Sequence, residues 1–146
     1  MGQAREVMDR ATAAIFSNDM AAVAACYSSD VVAQTPDYGT IHGVEGIVRY
    51  MRQMDEAFPD MDYELTRAME DGQNAIDEGI VTGTNTGPRV LADGTTLPPT
   101  GRSIRLRTID VATVEGGVIT RHDFYFDQME MAEQLGLLAQ QSSATT

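Results

Sequence analysis

The first part of the chain places apolar residues at the spacing of amphipathic helices. One set recurs at intervals of three and four residues: Ala4, Val7, Met8, Ala11, Ala14 and Ile15. This set predicts a helix with one apolar face, which ends at the capping residues Ser17-Asn18-Asp19. The same residues begin a second, shorter helix through Val23 to Tyr27. The sequence therefore starts with two packed helices.

A third helix is predicted after a short strand, Val31 to Thr35, and the loop "PDYGTIHG". Its apolar stripe consists of Val44, Ile47, Val48, Met51, Met54 and Phe58. Pro59 stops this helix, because proline has no amide hydrogen to donate to the preceding turn.

From Met61 onward apolar and polar residues alternate, which is the period of a β-strand. The later strand-length runs cover residues 75–86, 100–114 and 118–127, and turn signals such as Asp71-Gly72, Asp93-Gly94 and Gly116-Gly117 separate them. Helices followed by such strands predict the α+β class, with the helices covering one face of a curved antiparallel sheet. A short helix is expected after Asp127.

The last predicted hairpin contains an acid and one of the two histidines of the chain. A three-residue loop, Glu115-Gly116-Gly117, places Val114 opposite Val118 and therefore Asp110 opposite His122. A two-residue Gly-Gly loop shifts the register by one and mixes apolar with charged residues on both faces, which is unfavourable. We therefore predict that Asp110 and His122 are cross-strand neighbours on the apolar face. Burial and mutual attraction have opposite effects on their charges there, so the sequence leaves their protonation open.

The composition limits the class of protein. With 146 residues, of which 42% are hydrophobic, the chain fits one domain, predicted over residues 1–140 with a disordered tail at 141–146. The net charge of −12 argues against nucleic acid and anionic membrane as partners, because both repel an acidic protein.

Cysteine and histidine are too scarce for a disulfide framework or a structural zinc site. The single Cys26 suits the reducing cytoplasm, and no stretch has the character of a secretion signal or a membrane-spanning helix. We therefore expect a cytoplasmic protein without a metal or another cofactor.

The segment "LPPTGRSIRLRTIDVATVEGGVITRHDFYFDQMEMAEQLG", residues 97–136, resembles the C-terminal half of the SnoaL-like polyketide cyclases, a family of the nuclear-transport-factor-2-like superfamily. The shared markers are Pro98-Pro99-Thr100, Gly117-x-Ile119, Asp127 and Gln134-Leu135-Gly136. "GTNTG", residues 83–87, and Phe58-Pro59-Asp60 fit the family more loosely. The resemblance implies a cone-shaped α+β barrel around one deep pocket, often in a homodimer that packs through the outer face of the sheet.

The resemblance also bears on the catalytic residues. The aldol cyclases of the family use a pocket Asp on the last strand as acid/base and carry a His on the preceding strand. Alignment through Gly117-x-Ile119 puts Phe124 and Asp110 at these two positions. The related limonene-epoxide hydrolases also have an Asp at the Phe124 position and an Arg-x-Asp on an earlier strand, which the region of Thr82, Thr84 and Asn85 does not match. Epoxide hydrolysis is therefore the less expected chemistry.

Two functions remain open for Asp110 and His122. In the first they are the catalytic residues of a cofactor-independent cyclase or isomerase, in which His122 removes a proton and Asp110 either assists at the carbonyl oxygen or orients His122. In the second the protein binds a small molecule without catalysis. A hydrogen-bonded pair in a filled core is the purely structural alternative.

The remaining predictions concern the pocket wall and the outer face. We expect a small, apolar, carbonyl-type ligand to contact Gln34, Tyr38, Val48, Met51, Phe58, Asn85 and Phe124. His42 is expected to be a turn residue before the third helix. Arg105, Arg107 and Asp123 are expected on the outer face, through which we predict a homodimer.

Overall fold

The chain forms helices and strands in nearly the order that the sequence predicts. This computed structural model describes residues 2–138, and the predicted tail at 141–146 lies outside them. The helices are α1 (Gln3–Phe16), α2 (Met20–Ala25), α3 (Gly43–Ala57) and α4 (Gln128–Gln134). The strands are β1 (Tyr27–Thr35), β2 (Gly39–His42), β3 (Asp62–Asp71), β4 (Asn74–Thr84), β5 (Arg89–Val90), β6 (Thr96–Leu97), β7 (Ser103–Glu115) and β8 (Val118–Phe126). Among the described residues, no helix has the length and apolar character needed to cross a membrane.

Six strands form one curved sheet in the order β2-β1-β8-β7-β4-β3. Neighbouring strands run antiparallel except β1 and β8, which are parallel. Helix α1 packs on β3, β4 and β7, while α3 packs on β1 and β2 and α4 packs on β7. The predicted fold class, an α+β domain with a helix-covered sheet and a short C-terminal helix, is confirmed.

Two local predictions are wrong. The second helix stops at Ala25, and β1 already begins at Tyr27, where it pairs with Ile119 of β8. Part of the predicted loop "PDYGTIHG" is strand β2, because Ile41 is buried and pairs with Ala33 of β1.

The predicted Asp93-Gly94 turn lies in a separate hairpin of β5 and β6.

The hairpin of β7 and β8 has a different register from the predicted one. Its loop contains Gly116 and Gly117 alone, with φ angles of 61° and 83°, because Glu115 pairs with Val118. A bulge at Thr120 then adds a residue to β8 and shifts the register once more. Asp110 consequently pairs with Phe124 and not, as predicted, with His122. Two successive shifts of one residue preserve the alternation of faces, so Asp110 and His122 still project from the same side of the sheet.

The core lies between the inner face of this sheet and the helices. One cluster of buried residues includes Val7 and Met8 of α1 and Ile47 of α3. A second cluster, beneath α4, includes Phe58 and Met131. Members of both clusters line a cavity over the middle of β7 and β8.

Candidate functional site

The cavity has a volume of about 120 Å³ and is lined mainly by apolar side chains. Ile15 of α1 and Met51 of α3 form part of one wall, and Leu106 and Phe124 of the sheet form part of the opposite wall. The carboxyl group of Asp110 lies in this apolar surrounding. Its apolar lining with few polar groups resembles that of small-molecule sites, whose volumes are usually larger, about 300 to 1,000 Å³.

Asp110 is hydrogen-bonded to His122, with 2.7 Å between Oδ2 and Nε2. The imidazole fits because its neighbours on both adjacent strands are small: His122 pairs with Ala33 of β1 and Ala112 of β7. The ring of Phe124 stacks on it with 4.0 Å between the ring centres. The His122 side chain is 1% exposed and that of Asp110 is 15% exposed, so the carboxyl group is the accessible member of the pair.

A third residue, Tyr27, completes the arrangement from β1. Its hydroxyl lies 2.8 Å from Nδ1 of His122. Burial raises the pKa of Tyr27 far above its ordinary value, and the charge of Asp110 adds to this effect. The Tyr27 hydroxyl therefore stays protonated.

The pairing of donors with acceptors around His122 favours one tautomer of its imidazole. The Tyr27 hydroxyl is buried, and its one acceptor among the described residues is Nδ1 of His122. When Tyr27 donates to Nδ1, the hydrogen of the neutral imidazole is on Nε2, which donates to the Asp110 carboxylate. Every hydrogen of the three side chains then has an acceptor. His122 has no free nitrogen for a ligand, whereas Oδ1 of Asp110 has no hydrogen-bond partner within residues 2–138.

A second carboxyl group, Asp77 of β4, lies opposite Asp110 in the sheet register and is 1% exposed. The guanidinium of Arg5 from α1 forms ion pairs with Asp77, at 2.6 Å, and with Asp9, at 2.7 Å. Burial raises the pKa of Asp77 and the charge of Asp110 raises it further, while Arg5 opposes the rise. The positive charge of Arg5 therefore compensates the negative charge of Asp77, the carboxyl group beside Asp110.

The structure brings four of the predicted site residues together. Asp110, His122, Met51 and Phe124 all line the cavity. The sequence analysis missed Tyr27, Asp77 and Arg5, which belong to elements far from the hairpin in sequence. No motif or period marks these residues, and the pairing of β1 with β8 and of β4 with β7 is what places them near Asp110 and His122.

Five predicted ligand contacts lie away from this cavity. Gln34 is exposed and its amide oxygen accepts from Thr40. Phe58 is fully buried in the cluster beneath α4, and Val48 lies beside a separate surface groove along α3. Tyr38 and Asn85 have structural partners elsewhere. Tyr38 packs edge-on against Tyr50, and Asn85 donates to the carbonyl oxygen of Ala57.

The three outer-face residues lie where the sequence analysis placed them, whereas His42, predicted to be a turn residue, is the last residue of β2 and pairs with Val32. His42 is exposed immediately before α3. Arg105 and Arg107 are exposed on the outer face of β7. Asp123 projects from the same face of β8 and pairs with Arg121 at 3.0 Å.

Several solved structures share this fold at low sequence identity. A candidate SnoaL-like polyketide cyclase of Jannaschia sp. CCS1 has a TM-score of 0.81 and 15% identity, over 91% of each chain. IdmH, a candidate polyketide cyclase of Streptomyces antibioticus, has a TM-score of 0.76 and 22% identity, over 92% of this chain and 99% of its own. An LEH-like epoxide hydrolase of M. tuberculosis has a TM-score of 0.70 and 19% identity, over 91% of this chain and 89% of its own.

These similarities establish the fold, which hosts several activities. No curated protein matches the sequence. The profile of the SnoaL-like domain matches residues 8–122, which is most of the chain and includes His122. The chain therefore belongs to the family of SnoaL-like domains.

Proposed function

We propose that this protein is a cofactor-independent enzyme of the cyclase or isomerase kind, which acts on a small or polycyclic carbonyl compound by acid/base catalysis. The observation that carries the proposal is the Asp110 carboxyl group, fixed by buried His122 at the wall of an apolar cavity. Coupled titratable groups in a cavity are typical of acid/base sites. The candidate polyketide cyclases of the same fold support the same class of reaction.

In the proposed reaction, Oδ1 of Asp110 accepts a proton from the carbon next to the substrate carbonyl. The electron pair of the broken C–H bond moves onto the carbonyl oxygen and forms an enolate. In a cyclisation the enolate carbon then attacks a second carbonyl group of the same molecule, whose oxygen takes the proton back from Asp110. In an isomerisation Asp110 returns the proton to a different carbon. Either sequence regenerates the carboxylate without a metal or a redox cofactor.

His122 has a supporting role in this proposal. The sequence hypothesis made His122 the base, but both of its nitrogens are engaged, by Tyr27 and by Asp110. Its Nε2–H instead holds the carboxylate in one orientation, so that Oδ1 is directed to the ligand. Asp110, as the placed base, contributes about 10²- to 10⁴-fold to the rate.

A small-molecule binding protein is the second candidate. Phe124 favours it, because this phenyl ring occupies the position at which the cyclases of the family carry their catalytic Asp. The ring stacks on His122 and adds apolar surface to the cavity. In this reading Asp110 accepts a hydrogen bond from a ligand and no bond is broken.

Proton exchange on a simple ketone separates the two candidates. The probe is 2-tetralone, a bicyclic apolar ketone with an acidified C–H beside its carbonyl group, dissolved in D₂O. We expect the wild-type protein to accelerate loss of the C1 proton signal in the NMR spectrum, Asp110→Asn to abolish the acceleration, and Asp30→Asn on the exposed side of β1 to retain it. Binding of 2-tetralone without accelerated exchange would support the binding protein.

We further propose that the protein acts as a homodimer in the cytoplasm. The outer face of the sheet carries exposed apolar side chains, Met69, Ile109 and Tyr125, among the charged residues Arg105 and Arg107. Ile109 and Tyr125 are cross-strand partners, so their exposed surface is continuous. The single cysteine, Cys26, is buried and unpaired, as suits a reducing compartment.

A further inference from the structure

One polar group of the cavity has no role in the arrangement described above. The hydroxyl of Tyr63, on β3, is buried without a hydrogen-bond partner among residues 2–138. Thr108 lies close by, but its hydroxyl donates to the carbonyl oxygen of Gly79 and makes no hydrogen bond of normal geometry with Tyr63. Buried hydroxyl groups are rarely left unpaired, so an orphaned phenol beside a cavity suggests a partner that comes from outside the chain.

The surroundings of Tyr63 hold its ring in place. The ring stacks on Phe16 of α1, with 5.3 Å between ring centres and 13° between planes. The hydroxyl end of the ring lies over Gly79, so close that a Cβ atom at that position would collide with it. The glycine thus leaves the space that the phenol occupies, and its replacement by a larger residue would push the hydroxyl away from the sheet.

The sheet register places this hydroxyl near Asp110. Gly79, beneath the phenol, pairs with Thr108, and Asp110 is the next residue of β7 on the same face. Neighbouring strands are about 4.8 Å apart and successive residues on one face are about 7 Å apart. Burial raises the pKa of Tyr63, and the charges of Asp110 and Asp77 raise it further, so the hydroxyl keeps its hydrogen and can donate it.

We propose that the Tyr63 hydroxyl donates a hydrogen bond to the carbonyl oxygen of the ligand, while Oδ1 of Asp110 faces the neighbouring C–H group. This inference rests on the proposed function and names the part of the ligand that the site recognises: the oxygen of a carbonyl group whose carbon is bonded to the carbon that loses its proton. Negative charge develops on that oxygen as the proton leaves. A donor already aimed at it stabilises the enolate more than the ketone, which is the requirement for catalysis.

The test combines Tyr63→Phe with two readouts on the same probe. The first is the infrared stretching frequency of the carbonyl group of bound ¹³C-labelled 2-tetralone, and the second is its proton exchange in D₂O. The matched control is Thr66→Val, which removes a hydroxyl from the exposed part of the same strand. Thermal unfolding checks the fold: a hydroxyl that has no partner in the free protein can be removed with an unchanged or raised Tm, whereas a structurally bonded hydroxyl would lower it.

We expect the carbonyl stretch of the bound ketone to lie at lower frequency in the wild type and Thr66→Val than in Tyr63→Phe. The exchange rate should fall about 10²- to 10³-fold in Tyr63→Phe, as when one donor to a developing oxyanion is removed. An unchanged stretch together with unchanged exchange would overturn the role of Tyr63 and leave the proposed acid/base function standing. A Tyr63-dependent stretch without any exchange in the wild type would support the donor and contradict the enzyme proposal. Failure of the wild type to bind the ketone would overturn both.

Discussion

His122 and Asp110 are hydrogen-bonded diagonally across two strands, and the direct strand partner of Asp110 is Phe124. Diagonal neighbours on one face have Cα atoms about 7 to 8 Å apart, which leaves room for a carboxyl group to meet an imidazole end-on. The same offset lets the Phe124 ring stack on the imidazole. Asp110 lines the cavity, and its other carboxyl oxygen, Oδ1, has no hydrogen-bond partner among residues 2–138.

The bonds on both sides of His122 predict one fixed tautomer. Because Tyr27 donates to Nδ1, we expect ¹⁵N NMR spectra at neutral pH to show an acceptor-type Nδ1 and a protonated Nε2 for His122. Exposed His42 is the internal control and should show averaged tautomers. In Tyr27→Phe, which removes the donor, the preference of His122 should weaken. A protonated Nδ1 in the wild type would contradict the hydrogen-bond pattern assigned to the site.

The buried ion pair of Arg5 and Asp77 predicts a strong asymmetry between two arginine substitutions. Arg5→Met leaves Asp77 buried without its cation, and we expect the free energy of unfolding to fall by about 3 to 5 kcal/mol in urea titrations. Arg67→Met breaks an ion pair of the same 2.6 Å length with Glu78, but on the exposed surface, and should change stability little. Equal effects of the two substitutions would show that burial does not decide the strength of these pairs.

Glu70 predicts a pH-dependent contribution to stability. Its carboxylate accepts hydrogen bonds from the backbone amides of Arg5 and Gly2, which lower its pKa below the ordinary 4.5. A lowered pKa in the folded state means that the carboxylate stabilises the fold above the ordinary pKa, and that this contribution is lost as the pH falls through the lowered value.

We therefore expect Glu70→Gln to lower Tm at pH 7, and the difference from the wild type to shrink as the pH falls below 4.5. Glu64→Gln, on the exposed part of the same strand, is the control and should have little effect at any pH. A difference for Glu70→Gln that is constant with pH would mean that the charge of Glu70 is not what stabilises the start of α1.

The exposed apolar pair Ile109 and Tyr125 predicts where two chains meet. Sedimentation velocity at micromolar concentration should give the mass of two chains for the wild type and of one chain for Ile109→Lys, because the new charge would be buried in the interface. Met129→Lys, on exposed α4, should remain a dimer. A monomeric wild type, or a dimeric Ile109→Lys, would exclude this interface.

The hydrophobic periods of the sequence predict the helices, the long strands and the shared face of Asp110 and His122. The predicted face is correct although the predicted register is wrong. The register differs by two residues in total, and a shift of two residues returns each side chain to the same face of the sheet. The two-residue loop and the bulge at Thr120 could not be distinguished by pattern from the three-residue loop, since both solutions keep apolar residues inside.

The rest of the site depends on contacts that no local pattern carries. Tyr27 and His122 are 95 residues apart, and the parallel pairing of β1 with β8 brings them together. Val48, Met51 and Phe58 belong to one apolar stripe of the sequence, but that stripe is wide, and only Met51 of these three reaches the cavity. A helical period shows which side of a helix is buried and not which part of the core it covers.

The central claim is that Asp110 and His122 work as one acid/base unit, and the exchange rates of 2-tetralone in a double-mutant cycle test it most directly. Asp110→Asn and His122→Gln should each reduce the catalysed exchange about 10²- to 10⁴-fold, with circular dichroism showing that both variants fold. The double variant should lose little more than either single one, because members of one catalytic unit are strongly non-additive. Losses that multiply in the double variant, or exchange that persists in Asp110→Asn, would contradict the claim.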